Sequence, residues 1–177
     1  IVICGGALAG MTLALSLQSK GFDIVIIDPR DTKEVIEQDK RTTAIAAGPR
    51  RFYHDLGVWQ KLNKKIEAIN SISILDGSSS ISLDFDYRDF TDENNAVDIN
   101  SLGHVVENSD LIKQINLKIN KNKNLGQVKR FKSKVLDIKV DKFLAKVFLE
   151  NNKQISADLI IAADGKNSLT RKMIGIK

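Results

Sequence analysis

Three short stretches hold residue types that suit the binding of a nucleotide. The first, Gly5-Gly6-Ala7-Leu8-Ala9-Gly10, follows the apolar, β-branched run Ile1-Val2-Ile3-Cys4. A dinucleotide turn needs glycine for the tight bend after a strand. It needs a second small residue where backbone nears the diphosphate, and a third glycine where helix and strand pack closely. Gly5 and Gly10 fill the outer positions. Ala7 stands where the middle glycine is usual, with Gly6 and the small Ala9 on either side. A diphosphate would lie over the helix N-terminus, held by free N–H groups and the positive end of the dipole. The second stretch ends at Asp28, after Ile24-Val25-Ile26-Ile27. A carboxylate there accepts hydrogen bonds from ribose hydroxyls and disfavours a 2′-phosphate. The plainer reading is a polar strand end before a turn at Pro29. The third is Asp164-Gly165, delivered by the apolar residues 159–163, with Ser168 placed to cap a helix that carries Arg171. Read alone, it is an ordinary strand-to-turn pair.

Other chemistries find little support. His54 and His104 stand far apart, with no ligand spacing around them, and read as surface or packing residues. No paired-cysteine motif, nucleophile elbow or Gly-Lys-Ser/Thr phosphate loop occurs in the sequence, so no metal is expected and no catalytic residue is assigned. Phe85, Tyr87 and Phe90 suit a substrate face or local packing equally well.

The elements around these stretches follow from hydrophobic patterning. Residues 1–4 and 24–27 read as buried parallel strands, and residues 8–19 as a helix with Ala9, Leu13, Ala14 and Leu17 at apolar positions and Gly21 just past its end. Together they make a right-handed βαβ unit. Residues 32–45 are polar and read as a loop with a helical turn. Residues 49–62 read as one or two helices, interrupted at Gly57. Then the character changes. Residues 72–75 and 81–85 alternate about Asp76-Gly77, as in a hairpin. A strand is expected near 102–106, a helix over 110–119 with Leu111, Ile115 and Ile119 on one face, and strands over 135–140, 144–149 and 159–163. A nicotinamide-type domain would keep alternating strand and helix. The antiparallel interruption points to a flavoprotein plan, in which the chain leaves the cofactor domain and returns to it. The expected division is 1–67 and 108–177 for the cofactor domain, with 68–107 as a substrate-side β segment. The class is α/β, a Rossmann-like FAD-binding domain interrupted by an antiparallel segment.

Bulk properties agree with a globular domain. The chain has 177 residues, 42% hydrophobic and 28% charged, with a net charge of +5. The densest basic cluster, Lys118, Lys121, Lys123, Lys129, Arg130, Lys132 and Lys134, lacks interleaved aromatics. It reads as a solvated helix end and loop rather than a nucleic-acid surface. The single cysteine, Cys4, falls in a predicted strand, reads as core, and fits a reducing compartment. No apolar run approaches the roughly 20 residues that span a bilayer. The chain begins inside an apolar run without Met and ends just after a helix-like stretch, so it reads as the N-terminal part of a longer protein.

These segments, in this order, resemble the aromatic-ring FAD-dependent monooxygenases of the para-hydroxybenzoate hydroxylase type. The resemblance rests on the Gly-rich start with Asp28, an Arg-bearing middle and "ADLIIAADGKNSLTRKMIGI". The stretch Asp39-Lys40-Arg41-Thr42-Thr43-Ala44-Ile45-Ala46, followed by Leu56-Gly57-Val58-Trp59, and "LGHVVEN" at 102–108 resemble the ubiquinone-biosynthesis hydroxylase branch. The resemblance implies that Asp164 and Gly165 contact FAD and the nicotinamide reductant, with Arg171 in support. It implies further that Arg41 contacts FAD and that Asn108 faces the flavin. The implied reaction uses NAD(P)H to reduce FAD, and O₂ to place one oxygen atom on an aromatic ring, that of a prenylated phenol on the path to ubiquinone. The implied setting is cytoplasmic, peripheral at the inner face of a membrane or within a ubiquinone-biosynthesis complex, with no nucleic acid. Another flavin oxidoreductase on the same scaffold, a reductase or halogenase, and an NAD-dependent dehydrogenase stand as alternatives.

Overall fold

The computed structural model describes residues 1–62, 65–77, 81–90 and 100–176. Its packing separates two compact units, Ile1–Lys40 with Asn108–Lys177, and Arg41–Glu107. The first unit opens with β1 (Val2–Cys4), α1 (Leu8–Gln18), β2 (Ile24–Asp28) and α2 (Thr32–Gln38). The second holds β3 (Thr42–Ala46), α3 (Ala47–Asp55), β4 (Ile66–Ile69), β5 (Ser71–Leu75), β6 (Ser82–Asp86) and β7 (Gly103–Glu107). The chain then returns to the first unit with α4 (Asn108–Lys121), β8 (Val128–Lys132), β9 (Val135–Val140), β10 (Ala145–Leu149), β11 (Gln154–Ala157), β12 (Ile160–Ala162) and α5 (Leu169–Met173).

The first unit is built on a parallel sheet in the order β12-β1-β2-β8. Its strands are covered on both faces, which is why β1 and β2 read as unbroken apolar runs. On one face Val2, Cys4 and Ile27 pack with Ile138, Val147, Leu149 and Ala157 of the antiparallel sheet β11-β10-β9. On the other, Ile3 and Ile26 are buried beneath the helices, as are Met11 and Leu15 of α1 and Leu111, Ile112, Ile115 and Ile119 of α4. Each such side chain contributes roughly 1.5–3 kcal/mol through burial. Truncating the fully buried Leu15 to alanine would cost about 2–5 kcal/mol.

Several local expectations are corrected. The buried side of α1 is Met11, Ala14, Leu15 and Gln18, while Leu13 and Leu17 are only half-buried. The helix packs on α4 as well as on its own sheet. Gln18 belongs to that contact, because its Nε2 donates to the carbonyls of Ile119 and Gly126 at 3.1 and 3.0 Å. Residues 32–45 are more ordered than a loop: the helical turn expected there is α2, and β3 follows it. A reciprocal cap starts α2, with Asp31 Oδ1 accepting from the Glu34 N–H and Glu34 Oε2 accepting from the Asp31 N–H. The basic cluster is only partly helix end and loop. Lys129, Arg130 and Lys132 lie in β8, the strand that flanks β2.

The second unit contains the antiparallel sheet β3-β7-β4 and the β5–β6 hairpin. β3 pairs with β7 from Thr42↔Glu107 to Ala46↔Gly103, and β4 pairs with β7 on its other side, so both strands join the strand that follows the hairpin. Trp59 meets His104 edge to face at 5.4 Å. The hairpin places Ile72 opposite Phe85 and Ile74 opposite Leu83 on one face. Ile72, Ile74 and Leu83 are exposed there.

Candidate nucleotide-binding site

The parallel register of β1 with β12 and β2 brings the three sequence stretches to one edge of the sheet. β1 ends at Cys4 beside Ala162 and Ile27. The next residue, Gly5, has φ +114°, and its N–H donates to the Ile27 carbonyl at 2.8 Å. A Cβ on Gly5 would lie 2.2 Å from the Ala163 carbonyl oxygen, and a Cβ on Gly10 would lie 1.9 Å from that of Gly5. Only glycine fits either place, because both obstacles are backbone. Ala7, the departure from the usual pattern, has φ −80° and so needs no glycine.

Helix α1 then leaves this turn with no side-chain cap and no acidic residue in its first turn. The N–H groups of that turn have no intrahelical acceptors, and their dipole favours an anion. Ala9, exposed in the first turn, adds no bulk above them.

Asp28 closes β2 with its side chain only 9% exposed. Oδ2 accepts from the Gly6 N–H at 2.8 Å, and Oδ1 accepts from the Arg30 N–H at 2.9 Å. The Arg30 guanidinium donates to both oxygens, Nε at 3.1 Å and Nη2 at 3.3 Å. Burial pushes the Asp28 carboxyl up, but Arg30 and the two N–H groups outweigh it and hold the group below the usual carboxylate range. The carboxylate is therefore ionised at neutral pH and fixed against the glycine turn. Arg30 had no place in the sequence-level site; its position two residues beyond Asp28 was the available signal.

Asp164 follows β12 at the same sheet edge. Its Oδ1 accepts from the Ser168 hydroxyl, and Oδ2 accepts from the Thr170 N–H at 3.0 Å. Ser168 caps α5 as expected, accepting from the Arg171 N–H at 2.9 Å. Burial raises the Asp164 carboxyl, but Ser168 and Thr170 draw it below the ordinary range. Gly165 has φ +89° in the open turn that follows. The Arg171 side chain is exposed.

Two further sequence-level candidates are Asn108 and Arg41. Asn108 begins α4 in the first unit, buried, with Nδ2 donating to Asp39 Oδ2 at 3.3 Å. Arg41 begins the second unit and is exposed.

A cradle that any Cβ would fill, an uncapped helix start and an ionised carboxylate at the next strand end are the donor set of an adenine dinucleotide site. The comparisons name the dinucleotide. The family described as the FAD binding domain matches residues 1–177, and the chain belongs to that family. The alternative of an NAD-dependent dehydrogenase is set aside accordingly, and the cofactor that this domain holds is FAD. Over 178 residues the chain is 28% identical to the ubiquinone hydroxylase UbiL of Rhodospirillum rubrum, with 99% of this chain and 39% of the relative covered. It is 24% identical over 194 residues to the mitochondrial ubiquinone biosynthesis monooxygenase COQ6 of Dictyostelium discoideum, at the same coverage of 99% and 39%. The chain thus spans 39% of the length of these curated relatives. Among solved structures, the p-nitrophenol 4-monooxygenase PnpA from Pseudomonas putida shares the fold with a TM-score of 0.77 at 18% identity, covering 98% of this chain and 42% of that one. CtdE, solved in complex with FAD, shares it with a TM-score of 0.66 at 19% identity, covering 97% and 39%.

Proposed function

We propose that the whole protein is an FAD-dependent, NAD(P)H-using monooxygenase that hydroxylates an aromatic ring, a prenylated phenol in ubiquinone biosynthesis. The observation that carries this reading is the glycine cradle closed by Asp28, in a chain similar to ubiquinone hydroxylases along 99% of its length. The backbone of Gly5, Gly6, Ala7, Ala9 and Gly10 holds the diphosphate, and Asp28 holds the adenosine ribose. Asp164 and Gly165, in the turn between β12 and α5, serve the cofactor from the neighbouring strand, with Arg171 of α5 in support. Arg41 and Asn108 serve its flavin end.

Bound FAD supplies the redox chemistry by which O₂ is activated. The protein's part is to hold, orient and exclude water, which agrees with a sequence in which no acid or base stands out. The β5–β6 hairpin suits an oily aromatic substrate through its exposed face of Ile72, Ile74 and Leu83. We place residues 68–107 on the substrate side and the remainder with the cofactor. No helix among the described residues is long and apolar enough to cross a membrane. Delivery of a prenylated substrate calls for peripheral contact at the inner membrane face, in the cytoplasm, alone or within a biosynthetic complex.

The test is turnover of the intact protein with NADH or NADPH, a short-chain prenylated phenol and isotopically heavy O₂. The proposal expects substrate-dependent oxidation of the reductant and one heavy oxygen atom in the product. Reductant oxidation without oxygen transfer to any phenol tested would favour a reductase instead.

A further inference from the structure

Strand β8 carries a guanidinium whose donors are left over. Arg130 stands opposite Ile26 in the parallel β2–β8 ladder. The neighbouring Phe131 packs into the core beneath the antiparallel sheet. Strand alternation therefore sends Arg130 to the opposite, helix-covered face. Its Nε and Nη2 are buried and have no hydrogen-bond partner among the described residues. Among the described residues no carboxylate pairs with it, and burial pushes its pKa down. The other nearby cations are paired: Arg30 with Asp28, and Lys132 with Asp31 and Glu34.

Leaving charged donors buried and unpaired is costly, and native proteins rarely do so without a reason. The surroundings of Arg130 supply one. It lines a cleft of about 140 Å³ together with Gly6, Met11, Ile26, Asp28 and Val35. Gly6 belongs to the proposed diphosphate turn and Asp28 to the proposed ribose site, so one cleft joins them to apolar side chains and to a planar, unpaired donor. The chemical group that follows a ribose is a base. A purine has apolar faces for Met11, Ile26 and Val35, and ring nitrogens that accept hydrogen bonds. The guanidinium offers donors in a fixed plane and no acceptor. Arg30, Asp31, Thr32 and Lys132 also line the cleft, but Arg30 is paired with Asp28 and Lys132 with Asp31 and Glu34, and α1 already provides for the diphosphate, so a phosphate is less well matched to it.

We propose that Arg130 recognises the purine base of the bound nucleotide, with its guanidinium edge donating to one ring nitrogen of adenine. The inference rests on the reading of this site as the adenosine end of the FAD site. It makes Arg130 a specificity residue that trades stability of the empty protein for base recognition.

The experiment is a calorimetric titration of the intact protein, freed of cofactor, with ADP and with UDP. The two share ribose and diphosphate and differ in the base. The native protein is expected to prefer ADP. Arg130→Met should weaken ADP by about tenfold and leave UDP within about twofold. The melting temperature of the empty protein should hold or rise, since an uncompensated buried charge is gone. Arg130→Lys keeps the charge but loses the planar fork, and should lose ADP preference as the Met variant does. Equal losses for ADP and UDP would give the guanidinium to the phosphates and overturn the proposal. So would unchanged ADP affinity, or a fall in melting temperature with both substitutions. A native protein that binds neither ADP nor FAD would sink the nucleotide reading itself, whereas native binding with unaltered variants would sink only the role of Arg130.

Discussion

Substituting Asp28 by alanine separates a ribose ligand from a polar strand end. The carboxylate has two partners inside the protein, the Gly6 N–H at 2.8 Å and Arg30 through backbone and guanidinium. In the nucleotide complex it would add two ribose hydroxyls. A hydrogen bond to a charged group contributes about 1.5–3 kcal/mol, so two of them amount to roughly 3–6 kcal/mol. Arg30 already neutralises part of the carboxylate's charge, which favours the lower end. About 3 kcal/mol corresponds to a loss in FAD affinity of roughly a hundredfold. Asp28→Asn keeps the shape and one acceptor and should lose roughly tenfold. The alanine variant also leaves the buried Gly6 N–H unpaired, at about 1–3 kcal/mol in the empty protein. For a chain of this size each kcal/mol lowers the melting temperature by about 2–4 °C. Flavin fluorescence quenching on titration of the cofactor-free protein measures the affinity, and thermal melting measures the stability. A lower melting temperature with FAD affinity within about threefold of native would refute the ribose role and leave Asp28 as a strand-end anchor.

Three further outcomes are expected. Gly10→Ala forces a Cβ to within 1.9 Å of the Gly5 carbonyl oxygen, so the turn must shift. Overpacking of this kind costs about 1–3 kcal/mol, seen as a lower melting temperature with weaker FAD binding. Asp28 and Asp164 both have carboxyls held below the ordinary value of 3.8. A depressed folded-state value gives stability that is complete above 3.8 and is lost as pH falls through the folded value. FAD retention should therefore stay flat from about pH 8 to about pH 5 and fail only in stronger acid, as followed by released flavin fluorescence. Cys4 is 1% exposed, and burial, only partly offset by Thr170, pushes its thiol up to about 11. It should resist alkylation at neutral pH until the protein is unfolded, as read by mass spectrometry.

The parts of the fold that could be read from sequence are those where one residue pattern has one physical meaning. The run Ile1-Val2-Ile3-Cys4, its glycine turn and the second apolar run read as a βαβ unit because strands covered on both faces are apolar throughout. The face of α4 followed from Leu111, Ile115 and Ile119, all of which are buried. What escaped was disguised by charge or by tertiary packing. In β8 the sequence Val-Lys-Arg-Phe-Lys carries three cations, so its pairing with β2 outweighs a composition that reads as loop. Helix α2 is short and polar, yet its capping pair Asp31 and Glu34 was a legible start signal. Gln18 gave no sign of burial, but the carbonyls of Ile119 in α4 and of Gly126 beyond it accept from its amide and let it be buried. At the candidate site, Gly5 and Gly10 were legible because backbone approach restricts residue type, and Asp28 because it is an acid closing an apolar strand. Arg130 was not, since its place depends on which strand lies beside β2; Arg30 had only its position two residues beyond Asp28 as a signal.

The most direct test of the account is the visible spectrum of the purified intact protein, with its released cofactor identified. The account predicts a yellow protein that releases FAD on denaturation. A colourless protein that takes up NAD but no added FAD would contradict it.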